Sequence, residues 1–404
     1  MLTRHKRTLV NLFARVHELQ ADPIEKRMLA LEIQEELLRR IIQAERQIKR
    51  RKKFNKAIKF RLAQKGNSRE AALSLKDAYS KGEDALEAQR TLIEVLRSIG
   101  DAIAFIYGDK WDLKQMVLNK PNSGFISGKR GTRLERAILR RAFAWGATVV
   151  MNDLTNTLRH GDITVFRPDL WPEGNSKFLI IEAKSGKGGN KKRSERQMEA
   201  MSKLGSYLTD DTKIEEGRVW KRIALQEDSK HHFAIITELA QSLTERSWRA
   251  EKIEEGLFYI LMNTSIETDN FSEIFSVLPK GGRPSLLISV NELKKVHLGY
   301  LPFPLCFRDP EIIFKFYEGD FVINIALDTD HMNKILNRRG MSVELTSDDQ
   351  YPLRVFSENP SEESFVGYHP LGRLAGEFLS LKWFINNIIN GPSFDGMREL
   401  LSDG

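Results

Sequence analysis

The sequence predicts a mixed α/β protein in three parts: a helical region over 1–118, a central α/β core with a small mixed sheet over 119–255, and a mixed α/β region over 256–404. Three observations carry this division. Residues 1–108 contain a single proline, Pro23, and almost no strand signal. Residues 119–131 are rich in Gly, Pro, Asn and Ser, the composition that separates packed elements. Beyond them, short β-rich runs alternate with helical ones, the pattern of an α/β unit. A chain of 404 residues also exceeds the roughly 100–200 residues of one ordinary core.

In the first part, Pro23 suits the first turn of a helix, and Leu31, Leu37, Leu38, Ile41, Ile42 and Ile48 recur at helical spacing up to the turn at Gly66 and Asn67. Asn67 with Glu70 predicts a capping box for a second helix bearing Leu73, Leu75, Leu86, Leu92, Leu96 and Ile99. The expectation is a helical hairpin or short coiled coil. Its apolar positions outnumber those a two-helix hairpin buries, so self-association or docking of a protein partner is expected through these helices.

In the second part, residues 132–145 carry Leu134, Ile138, Leu139 and Ala142 on one helical face. Strands are expected at 147–151, 162–166 and 178–183, then a helix at 191–208 and a strand at 232–237. One more helix is expected over 238–255, and the third part predicts strands at 257–262, 286–290, 312–317 and 321–327, and a last helix over 371–389. It holds no motif with chemical meaning.

Composition bounds the function. Lys and Arg exceed Asp and Glu by 63 to 55, giving a net charge of +8 and favouring polyanionic partners. The surplus clusters: 46–65 holds ten cations and no acid, 129–141 holds six against Glu135, and 184–196 holds six against Glu195. Cys306 is the only cysteine, which excludes an intrachain disulfide and a thiolate metal cluster and suits a reducing cytoplasm. No apolar stretch approaches the roughly 20 residues that span a bilayer, so no membrane partner is expected. The N-terminal apolar run is interrupted at Asn11 and Arg15 and does not read as a signal peptide.

The chemistry concentrates in Arg159-His160-Gly161-Asp162-Ile163-Thr164, followed by Ile181-Glu182-Ala183-Lys184. On a strand, Glu182 and Lys184 point to one face, because side chains alternate with period two. Hydrolysis of a phosphodiester needs an anionic phosphate neutralised and a water activated, which hard oxygen ligands holding Mg²⁺ achieve. Asp162 and Glu182 would be those ligands, helped by the Ala183 carbonyl. Lys184 would orient or deprotonate the attacking water, provided the metal's field lowers its pKa. His160 reads as a structural residue beside a strand start and is left out of the set.

These residues resemble the PD-(D/E)XK nuclease superfamily over 132–237, including its helix, three strands, helix, strand order. Gly161 stands where the family's name residue is proline. The resemblance implies a restriction-endonuclease-like core and a Mg²⁺-dependent nuclease, with Mn²⁺ as the alternative ion. It also implies a further acidic group at Glu135 that reaches the metal, and Gln197 on the following helix matches the glutamine of RecB-like members. Tyr207, ten residues beyond Gln197, does not transfer. The bland reading of Glu135 is a helix-surface partner of Arg136 or Arg140.

Lys187, in the loop Ser185-Gly186-Lys187-Gly188-Gly189-Asn190, and Lys191, Lys192, Arg193 and Arg196 after it are the expected phosphate contacts. The glycine pattern around Lys187 is too partial for a P-loop. DNA is the expected substrate, with RNA left open. Nucleases of this kind with added helical and C-terminal regions resemble prokaryotic defence or restriction effectors. The rival readings are an inactive nucleic-acid-binding or scaffold protein with a nuclease-like fold, and a structure-specific DNA repair nuclease.

Overall fold

The computed structural model describes residues 2–64, 66–116, 124–129, 131–166, 178–183, 191–215, 218–221, 228–243, 246–266, 271–276, 278, 285–295, 299–348, 351–357 and 363–389. It is a mixed α/β structure with a helical N-terminal region and small antiparallel sheets. Two compact units divide it, Met1–Thr209 and Asp210–Gly404.

The first unit opens with α1 (Lys6–Ala21), the long helices α2 (Arg27–Leu62) and α3 (Arg69–Tyr107), and the short α4 (Lys110–Gln115). Next come α5 (Thr132–Ala144), the strands β1 (Thr148–Met151), β2 (Ile163–Phe166) and β3 (Phe178–Ile181), and α6 (Lys191–Asp210). The strands form an antiparallel sheet in the order β1-β2-β3, not the mixed sheet expected, with Met151 opposite Ile163 and Ile163 opposite Ile181.

Helices α2 and α3 pair along Leu37, Leu38, Ile41 and Ile48 on one and Leu92, Leu96 and Ile99 on the other, all buried. Helix α1 adds Leu9, Leu12, Phe13, Val16 and Leu19 to the same core. Most of the apolar positions that argued for a partner are therefore covered within the unit, which weakens that argument for self-association. Large apolar side chains stay exposed farther along the hairpin, at Phe54, Phe60 and Leu73. The turn also differs from its expectation. Ser68, not Asn67, caps α3 by accepting from the Ala71 amide at 3.2 Å, while the Asn67 amide donates to the Arg61 and Gln64 carbonyls that end α2. Pro23 lies in the turn before α2, where its carbonyl accepts from the Tyr107 hydroxyl at 2.7 Å.

The expected boundary at 118 does not separate two cores. Strand β1 is an edge whose unpaired backbone groups need partners, and buried Gln34 of α2 supplies them. Its side chain donates to the Val149 carbonyl at 2.8 Å and accepts from the Met151 amide at 3.0 Å. Buried Glu45 of α2 accepts from the Ile126 and Ser127 amides at 2.9 and 2.6 Å. Asp101 of α3 accepts from the Asn156 and Thr157 amides at 2.9 and 2.8 Å. Gln34→Leu orphans a buried donor and a buried acceptor together and is expected to cost roughly 2–5 kcal/mol. Urea denaturation checks this, and a loss below about 0.5 kcal/mol would contradict the clamp.

The second unit starts with the hairpin β4 (Thr212–Glu215) and β5 (Arg218–Lys221), followed by α7 (Phe233–Ser242), β6 (Trp248–Glu254) and β7 (Leu257–Asn263). It continues with α8 (Phe271–Ser276), β8 (Ser285–Ser289), α9 (Phe303–Cys306), α10 (Pro310–Glu318), β9 (Phe321–Asp328) and α11 (Thr329–Asn337). Strands β10 (Met341–Leu345), β11 (Leu353–Ser357) and β12 (Glu363–Val366) precede α12 (Tyr368–Gly376), α13 (Leu381–Phe384) and a π-helical turn, Ile385–Ile389. Its larger sheets run β6-β7-β9-β8 and β10-β11-β12, both antiparallel.

Several expected elements change type here. The strand expected at 232–237 is helix α7, whose buried Ile236, Thr237, Leu239 and Ala240 line one helical face. A short apolar run does not by itself distinguish strand from buried helix. The strand expected at 312–317 is α10, and its signals were in the sequence. Asp309 caps it by accepting from the Glu311 amide, Pro310 occupies its first turn, and Gly319 ends it in the left-handed conformation at φ 91°. The helix expected over 238–255 stops at Ser242 and gives way to β6. The helix expected over 371–389 breaks after Gly376, where Phe378 has φ 47° and Leu379 bridges His231.

Candidate active site

Asp162 stands immediately before β2, held by three contacts at one end of this central strand. Its amide donates to the Ile181 carbonyl at 2.9 Å, its carbonyl accepts from the Asn152 amide at 2.9 Å, and its Oδ2 accepts from the Ala183 amide at 2.8 Å. The last of these ties the start of β2 to the residues that leave β3. Asp162, Glu182 and Ala183 are all partly buried.

Gly161 explains the departure from the proline pattern. Its φ is +68°, a left-handed conformation that proline, locked near −65°, cannot adopt. A Cβ there would also lie 2.5 Å from Ile180 Cγ2 and 2.9 Å from the Ile181 carbonyl oxygen. Glycine thus lets the chain cross β3 closely before Asp162. Asn152 secures the same corner: its Nδ2 donates to the His160 carbonyl at 2.5 Å and its Oδ1 accepts from the Thr164 hydroxyl at 2.8 Å. His160 is buried within this corner, in keeping with a structural role.

Glu135 sits in the first turn of α5 and is 4% exposed. Burial, with Asp162 and Asp153 nearby, pushes its carboxyl up to about 7; Glu182 adds to the rise and Lys129 opposes it. The bland reading fails on geometry. Arg136 and Arg140 pair instead with Glu35 of α2, with Arg140 Nε 2.7 Å from Glu35 Oε1. Glu135 therefore belongs electrostatically with Asp162 and Glu182 rather than with the arginines beside it in sequence.

Sequence reasoning passed over Asp153 and counted Lys129 only within the basic cluster at 129–141. Lys129 Nζ lies 2.5 Å from Asp153 Oδ2, placing an ion pair next to Glu135's field. Asp153 carried one signal, its position just beyond the end of β1. Asp101 was also unmarked. Burial pushes it up to about 6 against the amides of Thr157 and Asn156, so its role is to fix the loop leading to Asp162.

Lys184 and Lys187 lie outside the described residues. Lys191, Lys192, Arg193, Arg196 and Gln197 fall on α6, but their side chains lie outside what is described. The structure thus brings Asp162, Glu182, Ala183 and Glu135 into one neighbourhood. Among the described residues, no group of three or more His, Cys, Asp or Glu side chains is set to hold a metal ion, and no helix is long and apolar enough to cross a membrane. No family model matches the chain, and neither a curated protein nor a solved structure matches it.

Proposed function

We propose that the chain is a metal-dependent nuclease acting on DNA, with α5, β1 to β3 and α6 as a restriction-endonuclease-like core. The observation that carries this reading is the Ala183 amide on Asp162 Oδ2, which sets Asp162 and the Glu182-Ala183 segment at one end of the sheet, with buried Glu135 in their field.

The donor set suits Mg²⁺ or Mn²⁺. Mg²⁺ commonly takes one or two carboxylates and keeps several waters rather than filling a protein cage, so Asp162, Glu182 and the Ala183 carbonyl are sufficient in number and hardness. The chemistry a bound ion supplies is neutralisation of the phosphate and activation of water. Around it, the Ala183 amide fixes the Asp162 carboxylate, and Gly161 lets that residue approach β3. Glu135, whose carboxyl burial and the neighbouring carboxylates raise to about 7, would supply a further oxygen on ionising. Lys184, two positions beyond Glu182, would orient the attacking water and receive or offset its proton.

The basic residues Lys187, Lys191, Lys192, Arg193 and Arg196 would hold the phosphate backbone without reading bases. Replacing Lys191, Lys192 and Arg193 together by Ala is expected to flatten the slope of log affinity against log salt by about 3, since each phosphate contact contributes about 0.9. Anisotropy titrations over a salt series check this, and an unchanged slope would remove these residues from the interface.

The rival reading is a nucleic-acid-binding scaffold that keeps these residues without the chemistry. Linear, circular and single-stranded DNA and RNA, incubated with the protein in Mg²⁺, Mn²⁺ or EDTA, separate the two. Metal-dependent cleavage supports the nuclease, and tight binding with every substrate intact supports the scaffold.

A further inference from the structure

Away from the carboxylates, a cationic recess lies where the start of α1 meets α2 and α3. One cavity of about 290 Å³ is lined by Arg4, Arg50, Arg51, Phe54 and Gln89, together with Gln47 and Ala85. A smaller one beside it shares Gln47 and Gln89 and adds His5, Thr8, Arg40 and Gln43 among its lining. No aspartate or glutamate lines either, whereas the neighbouring groove along α2 has Glu32, Glu35 and Glu36, each already paired with arginine.

Three independent features point to an anion. Gln89 is 4% exposed, yet its Nε2 has no hydrogen-bond partner among the described residues, and it borders both cavities. A buried amide donor left unmade is costly, and a ligand acceptor would satisfy it. Helix α1 follows a 3-10 turn, Thr3–His5, and has no side-chain cap at His5 and no acid in its first turn, so the positive end of its dipole meets no carboxylate of its own helix. Arg4, Arg50 and Arg51 supply full charges with the fork geometry that matches phosphate.

A fourth feature narrows the class. Phe54 is 49% exposed at the rim, with the Arg51 guanidinium 5.7 Å from its ring centroid. An exposed ring flanked by arginine is a stacking platform for a base.

We propose that this recess binds the phosphate of a nucleotide, with Arg4, Arg50 and the Gln89 amide on the phosphate and Phe54 with Arg51 against the base. The site shares no residue with Glu135, Asp162 or Glu182, and its occupancy does not depend on cleavage. The nucleotide is either free or the 5′ end of a strand, since both present the same group. Occupancy by a free nucleotide makes the recess a regulatory site; occupancy by a strand end makes it an anchor.

The test is calorimetric titration of the full-length protein with ATP and, separately, with a short 5′-phosphorylated oligothymidylate in EDTA. Saturable binding of at least one probe is expected, with ATP binding marking the free nucleotide and oligonucleotide binding that is lost without the 5′ phosphate, in the absence of ATP binding, marking the strand end. Arg4→Ala/Arg50→Ala and Gln89→Leu are each expected to weaken it about tenfold or more, with the double variant melting as the wild type because its changes lie at the cavity lining. Asp162→Ala should bind both probes as the wild type does, which separates failure here from failure of the nuclease assignment. Absence of saturable binding by either probe, or unchanged affinity in the double arginine variant, overturns the proposal.

Discussion

Lys184→Ala is expected to slow cleavage by roughly 10²–10⁴-fold while Mg²⁺ binding persists, because an ammonium is not a ligand but a water-orienting, proton-handling group. Asp162→Ala is expected to lose cleavage and ion affinity together, since it deletes a hard oxygen donor whose Oδ2 is already positioned by the Ala183 amide at 2.8 Å. The contrast between the two variants is the informative part. Calorimetric Mg²⁺ titration beside single-turnover cleavage resolves it. If both variants lose ion binding equally, Lys184 acts through the fold and not on the water. If the charges form only a strand-edge salt bridge, each substitution costs no more than about 1 kcal/mol and leaves any cleavage intact.

The second large effect concerns stability and pH. Burial and the carboxylates of Asp162 and Asp153 raise Glu135 from 4.5 to about 7. In the folded state the group therefore holds its proton where the unfolded chain has already released it. Between about pH 4.5 and 7 the native state binds more protons, so its stability falls as pH rises through that window, and the cost is fully present above it. The full fall from this one group is about 3 kcal/mol. Glu135→Gln should match the wild type below the window and exceed it above. Added Mg²⁺ at pH 8 should recover stability in the wild type and much less in the variant, because a cation relieves the carboxylate repulsion. Asp101, raised to about 6 by burial, adds a fall of its own that persists in the variant. Denaturation curves across pH measure both, and a Glu135→Gln curve parallel to the wild type at every pH would detach Glu135 from the acidic site.

How far the sequence revealed this arrangement depended on the range of the signals. The pairing of β2 with β3 followed from strand patterns, but β3 ends at Ile181, short of the 183 expected, and β2 starts at Ile163, so Asp162 and Glu182 lie just outside their strands rather than on them. Glu135's orientation did not follow, because its rivals were settled by Glu35, a residue 100 positions earlier on α2 that engages Arg136 and Arg140. The union of the helical hairpin with the sheet was hidden for the same reason. It rests on Gln34, Glu45 and Asp101, polar residues inside apolar helical stripes whose partners are backbone groups of distant loops and a strand edge. In the second unit, α10 was misread as a strand although Asp309, Pro310 and Gly319 marked its ends, since the apolar content of Ile312 to Phe316 outweighed those caps. Helix α7 carried no cap signal, as no side chain closes its start, and only burial distinguishes it from a strand.

The most direct test of the central claim is cleavage by purified Glu182→Ala beside the wild type, in Mg²⁺ and in EDTA, with thermal melts establishing that both are folded. The wild type is expected to cleave DNA in Mg²⁺ and not in EDTA, and the folded variant to cleave in neither. Cleavage by folded Glu182→Ala at the wild-type rate would contradict the assignment of catalysis to this end of the sheet.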